Sequence, residues 1–245
     1  MFTMSHFVFL AISIVVIFLV IFLNHKFKFS YDTNIKALLV VGILSEIIKL
    51  SDVIVYKIGE TFETTGGYVE PESLPFHLCT IQIFFVFALV FFIKSEKAKQ
   101  VILEFMFPTM CIGAALALLI PTDGTEFNEL RTYQYFMYHG YLVGFAVYLV
   151  MSKTILITWK TLFRNTAILF VFSIIAIYLN GIMQYAHTNF MFVSRPPIDG
   201  LPILNLNQGW HMYYLKLVLI GVILLFAIHF PFILHNKKIA KKVGL

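Results

Sequence analysis

Cysteine is nearly absent, two residues in 245, and charged residues make up only 13% of the chain. Cys79 and Cys111 fall at different depths in separate apolar runs, which leaves no disulfide framework and no Cys-rich metal site, so both read as free thiols. So little charge, set beside 60% hydrophobic residues and a mean hydropathy of +0.86, excludes an ordinary soluble domain. The chain also lacks low-complexity segments and internal repeats, including the inverted halves from which many carriers are built.

What is present is a succession of long apolar runs. A helix needs about 20 mostly apolar residues to cross a hydrocarbon core of about 30 Å. Seven runs meet that test, at approximately 4–24, 35–55, 74–93, 101–121, 133–153, 166–185 and 212–234. The expected fold is therefore an all-α membrane protein, a polytopic bundle of about seven transmembrane helices in which residues 1–245 form a single domain. Met1 to His6 carries no Lys or Arg and no small-residue cleavage pattern follows Leu23, so the first span reads as retained rather than as a secretory signal.

Charge sorts by loop. Lys26, Lys28, Lys94, Lys97, Lys99, Lys153, Lys160, Arg164 and the Lys237, Lys238, Lys241, Lys242 tail lie on one side, against Lys57, Arg131 and Arg195 on the other. The positive-inside rule then predicts an N-out, C-in, multi-pass protein of the cell membrane. The net charge of +5 reflects that topology and contact with anionic lipid, and no nucleic-acid partner is expected.

Against this apolar background, Glu46, Lys49, Asp52, His77, Cys79, His139, Asn180, Gln184, His187 and His211 all fall in or just beyond the same half of successive spans. An ionisable group in hydrocarbon costs roughly 2.5–3.5 kcal/mol on insertion scales, so several at matching depth predict a shared cavity that holds water or a ligand. Glu46, Lys49 and Asp52 recur every third residue, with Tyr56 extending the row, and read either as an internal ion-pair ladder or as substrate contacts. Asn180, Gln184 and His187 form a second stripe, at spacings of four and three, suited to hydrogen bonding between helices or to a lipid headgroup. The Tyr133, Tyr135, Tyr138, Trp210, Tyr213 and Tyr214 set is expected as an aromatic belt, and Lys216 as snorkelling outward or joining the acidic stripe.

The segment Leu74-Pro75-Phe76-His77-Leu78-Cys79 carries the most chemistry. With Pro75 opening the third helix, His77 and Cys79 would sit in its first two turns, at the positive end of the helix dipole. They are two residues apart and so cannot face each other, which makes His139 on span five the candidate base for Cys79. A small apolar filler is the alternative reading of Cys79. No two of His77, His139, His187 and His211 share the spacing of a helical metal motif, so no metal or cofactor is assigned. The loop 186–211, with Arg195-Pro196-Pro197, reads either as a lid on the bundle mouth or as a solvated connection.

The span count, Leu-Pro followed by His-Leu-Cys, His139, Asn189-Phe190-Met191-Phe192 with Pro196-Pro197, and Asn207-Gln208-Gly209-Trp210 together resemble the bacterial YwaF family of integral membrane proteins. At greater distance the chain resembles the eukaryotic transmembrane protein 164 group. That resemblance implies a cysteine-dependent phospholipid acyltransferase working through an acyl-enzyme. It places the nucleophile immediately before the span-three histidine, where this chain has Phe76, so it carries over His77 and His139 and does not by itself supply Cys79. The functional expectation is a lipid-binding membrane protein, a phospholipid acyltransferase or acyl hydrolase with Cys79 as nucleophile, His139 as base and His77 as headgroup or oxyanion contact. A small-solute transporter or substrate-binding subunit without covalent chemistry is the alternative, and a purely structural membrane component the third reading.

Overall fold

The computed structural model describes residues 3–61, 71–121, 125–198 and 200–242, and for 52–61 and 237–242 the backbone alone. Among the described residues there are seven α-helices and no strand: α1 (Met4–Phe27), α2 (Tyr31–Thr61), α3 (Gln82–Phe91), α4 (Glu96–Leu119), α5 (Leu130–Met151), α6 (Trp159–Ile182) and α7 (Trp210–Lys242). The stretch Thr64-Thr65-Gly66-Gly67, whose composition predicts a turn in an exposed connection, lies outside the described residues. Four helices, α1, α4, α6 and α7 as far as Asn236, are long and apolar enough to cross a membrane. The chain is a helical membrane protein.

Helix α5 is central and packs on α1, α2 and α4. Phe136, Leu142, Phe145, Ala146 and Leu149 on α5 are buried with Met106, Phe107, Met110 and Ala114 on α4. Contact with α1 rests on Gly140 and Gly144, a small-xxx-small pair that lets the two backbones approach. A Cβ on Gly140 would lie 2.8 Å from the Ser13 carbonyl oxygen, and one on Gly144 3.0 Å from the Val20 side chain. The Ser13 hydroxyl bridges the seam, 3.0 Å from the Phe9 carbonyl and 2.9 Å from that of Phe136.

Helices α6 and α7 pack on each other and reach the rest through α4. The end of the bundle at which α4 and α6 finish and α5 and α7 begin is called the mouth, and the other end the base. At the base a polar cluster ties α4, α6 and α7 together. Pro108 lacks an amide hydrogen and so deprives the Glu104 carbonyl of its helical donor. The Asn165 side-chain amide takes that carbonyl at 2.7 Å and also meets His229 Nε2 at 3.2 Å. His229 Nδ1 is 2.8 Å from the Leu225 carbonyl, which only accepts, so in the neutral ring the proton is on Nδ1 and Nε2 accepts from Asn165. Arg164 pairs with the Glu104 carboxylate, which also accepts from Gln100 at 2.8 Å. A Thr158/Thr161 capping box starts α6 at Trp159, seven residues before the expected edge, and draws Arg164 out of its predicted loop.

The third span departs most from expectation. Residues 74–81 are bends and turns, and the helix begins only at Gln82. The carbonyls that would start a helical ladder are taken by side chains. The His77 carbonyl accepts from Thr80 Oγ1 (3.2 Å) as well as from the Ile81 amide (2.9 Å), that of Leu78 from Gln82 Nε2 (2.7 Å), and that of Cys79 from the Tyr138 hydroxyl (3.0 Å). Pro75 therefore does not open a helix, and His77 and Cys79 do not sit in a helical first turn. Irregular backbone at this depth is tolerated where it is buried in protein or lines a cavity.

Candidate functional site

One cavity of about 960 Å³ lies between the mouth and the α6/α7 side of the bundle. Its mouth is polar, with Glu46, Lys49, Glu72, His77, Arg131, Gln134 and Arg195 on the wall. Towards the base it is mainly apolar, with Leu169 and Phe170 of α6 and Leu217, Val218, Gly221 and Leu225 of α7, and with Thr166 and Ser173 as the polar groups of that part. Cys79 and His139 line the same space.

Each polar group is held from a different element. Lys49 Nζ is 2.7 Å from the Glu46 carboxylate, one helical turn away, and donates to the Ser73 carbonyl at 2.8 Å. The pair is thus an internal ion pair that also ties α2 to the segment leading into Cys79. Asp52 and Tyr56, the rest of the stripe, lie where side chains are outside the described residues. Gly113 of α4 lets the Cys79 turn settle, since a Cβ there would meet Leu78 Cβ at 3.0 Å and the Cys79 amide nitrogen at 3.4 Å. From α5, Tyr138 holds the Cys79 carbonyl and its neighbour His139 is buried, with Nδ1 2.6 Å from the Tyr135 carbonyl. A carbonyl only accepts, so Nδ1 carries a proton and Nε2 is the nitrogen through which a neutral ring acts as base.

The 188–198 part of the long connection is packed onto this site, whereas 202, 203 and 206–211 are exposed. Asn180 makes a two-way clamp on Phe190, receiving its amide at 2.9 Å and donating to its carbonyl at 3.2 Å. Asn189 accepts from the Ser194 and Arg195 amides, both at 3.2 Å. Trp210 Nε1 donates to the Val193 carbonyl at 3.0 Å, and the Tyr213 hydroxyl to that of Phe192. These bonds hold Met191 and Phe192 at φ of 55° and 56°, successive left-handed residues that cost about 1–3 kcal/mol each without glycine. The strained turn lays the Phe190 and Phe192 rings 5.7 Å and 5.3 Å from the His77 ring. Arg195 reaches back to Glu72 (3.8 Å) and to the His187 carbonyl (2.7 Å), joining two connections across the mouth.

The structure therefore brings Glu46, Lys49, His77, Cys79 and His139 around one space. It does not bring Asn180, Gln184, His187 and His211 there. Helix α6 ends at Ile182, a 3₁₀ turn follows at Gln184–Ala186, and His187 reverses the chain at φ 52°, so the expected stripe is broken. Asn180 is buried as the clamp, Gln184 and His187 are exposed, and His211 is exposed against the Trp210 ring. Among the described residues no three His, Cys, Asp or Glu side chains converge as a metal site. Lys216 donates to Gln208 at 2.8 Å. The tyrosines expected as a belt act as stitches: Tyr135 donates to the Ala117 carbonyl at 3.0 Å and Tyr214 meets the Ser173 hydroxyl at 2.8 Å. Arg131, Gln134 and Asn189 also line the cavity, and none of them carried a site role in the reading of the sequence.

A profile of the TMEM164 family matches residues 1–229. The chain belongs to the TMEM164 family. The match takes in all seven helices up to His229, and hence the whole cavity and the cluster at its base. No curated protein and no solved structure matches the chain.

Proposed function

We propose that this TMEM164 family member stands with the bacterial YwaF proteins as a multi-pass, N-out protein of the cell membrane, and that it holds a phospholipid and transfers or hydrolyses one of its acyl groups. The observation that carries this reading is a single cavity polar at its mouth and mainly apolar towards the base, with a thiol and a histidine on its wall. A lipid has the same division between head and chain. In the proposed reaction Cys79 Sγ gives its proton to His139 and attacks the ester carbonyl; the carbon–oxygen bond breaks, and the departing lyso-lipid oxygen takes the proton back. A lipid hydroxyl or water then attacks the thioester, its proton passing through His139 to the thiolate. His77, wedged under Phe190 and Phe192, faces the headgroup or the developing oxyanion. No resident cofactor is needed for these steps. The polar cluster at the base, which ties α4, α6 and α7 together, weighs against a carrier that must open to both sides.

Native mass spectrometry of the purified protein tests both halves of the proposal. One bound lipid per chain is expected, and after incubation with phospholipid a hydroxylamine-labile acyl adduct that Cys79→Ala abolishes while the bound lipid remains. A protein that retains no lipid contradicts the binding reading, and a lipid-bound protein that never forms the adduct contradicts the covalent one.

A further inference from the structure

Helices α6 and α7 are bolted together twice. Near the mouth the Ser173 and Tyr214 hydroxyls meet at 2.8 Å, and at the base Asn165 meets His229 at 3.2 Å. Gly221 sits almost midway along α7 between these ties, about 10 Å from Tyr214 and about 12 Å from His229 at the rise of a helix. A Cβ built on it would meet no heavy atom within 4 Å. Two helices crosslinked above and below an open interval cannot close on it by rigid movement, and every carbon added at its midpoint would narrow the interval.

We propose that this interval is a slot for one acyl chain of a membrane lipid, and that Gly221 determines which chains it admits. The inference rests on the lipid-holding reading above and adds to it the position of the chain and the residue that selects it. The occupant follows from the two ends of the cavity. The apolar interval runs without a break into the mouth, where Lys49 and His77 face the same space, so the guest needs a polar end and an apolar end joined. Phe170 and Val222 line the cavity and are 47% and 41% exposed, so the wall at α6 and α7 is open enough there for a chain to enter sideways from the surrounding hydrocarbon. Leu225, one turn before His229 and 1% exposed, is the deepest residue of α7 on the slot, and Phe163 and Thr166 line it at the same end on α6.

The test compares the lipids that co-purify with the wild-type protein, with Gly221→Ala and with Gly221→Leu, extracted from the same membranes and read by native and lipid mass spectrometry. Since the position is open, both variants are expected to fold. In Gly221→Leu the longest bound chains should fall by about tenfold or more, the scale of one methylene excluded from an apolar pocket, with Gly221→Ala intermediate. Identical chain distributions in all three proteins overturn the inference and leave lipid binding standing. A sterol or other apolar guest without an acyl chain in the wild-type protein also overturns it. No bound lipid in any of the three overturns both this inference and the reading on which it rests.

Discussion

The α1/α5 seam and the α6/α7 seam both contain glycine, to opposite effect. Along α1/α5, Gly140 and Gly144 remove side chains so that two backbones touch, and the Ser13 hydroxyl closes what gap remains. Along α6/α7, Gly221 removes a side chain and nothing moves in to fill the space, because ties at Ser173–Tyr214 and Asn165–His229 hold the helices at a set distance. Without a hydrophobic driving force between helices in lipid, a seam closes only where shape or hydrogen bonds close it. The first seam builds a scaffold and the second leaves room for a guest.

The sharpest way to break this contrast is to fill both glycines and measure thermal unfolding in one detergent. Gly140→Val should lose about 3 kcal/mol, because its Cβ falls within contact distance of the Ser13 backbone. The base cluster comes next. Asn165→Ala should cost about 2 kcal/mol by stranding the Glu104 carbonyl. In a Pro108→Ala background, where the helix regains its own donor for that carbonyl, the same substitution should cost clearly less; an unchanged cost in the double-mutant cycle would remove Pro108 from the explanation. Asn180→Ala should release the Phe190 clamp at about 1 kcal/mol, with faster hydrogen exchange over residues 190–195 and little change on α5. The smallest effect has the opposite sign: Gly221→Ala should gain about 0.5 kcal/mol from helix propensity alone. A loss at Gly221 as large as that at Gly140 would erase the distinction between the two seams.

The same contrast accounts for what could be read in the sequence. Helix number and order were legible because seven apolar runs admit few other arrangements, but among the described residues only four of the seven helices are long and apolar enough to cross a membrane, and α3 falls short because its expected first turns are not helical. The gathering of Glu46, Lys49, His77, Cys79 and His139 was legible because ionisable groups at one depth in hydrocarbon need a common space. The start of α3 was not, since it depends on Tyr138 and Gln82 claiming carbonyls that a lone helix would have used. Nor was the fate of Gln184 and His187, because helical spacing was extended past Ile182 into a segment where the backbone turns left-handed at His187. The base cluster did leave a sign. Pro108 within an apolar run announces a carbonyl in need of an outside donor, and Asn165 answers it. The empty interval at Gly221 left none, since an open glycine and a close-packed one look alike in sequence.

A phospholipid carrying a photoreactive group at the end of one acyl chain tests the central claim most directly, with labelled residues mapped after irradiation in the membrane. Leu225 is 1% exposed and faces the cavity, whereas Ile223, two residues away on the same helix, is 64% exposed. A chain seated in the slot must label Leu225 and the facing Leu169. Label confined to Ile223 and other outward residues would mean that lipid only surrounds the protein and that the cavity does not hold it.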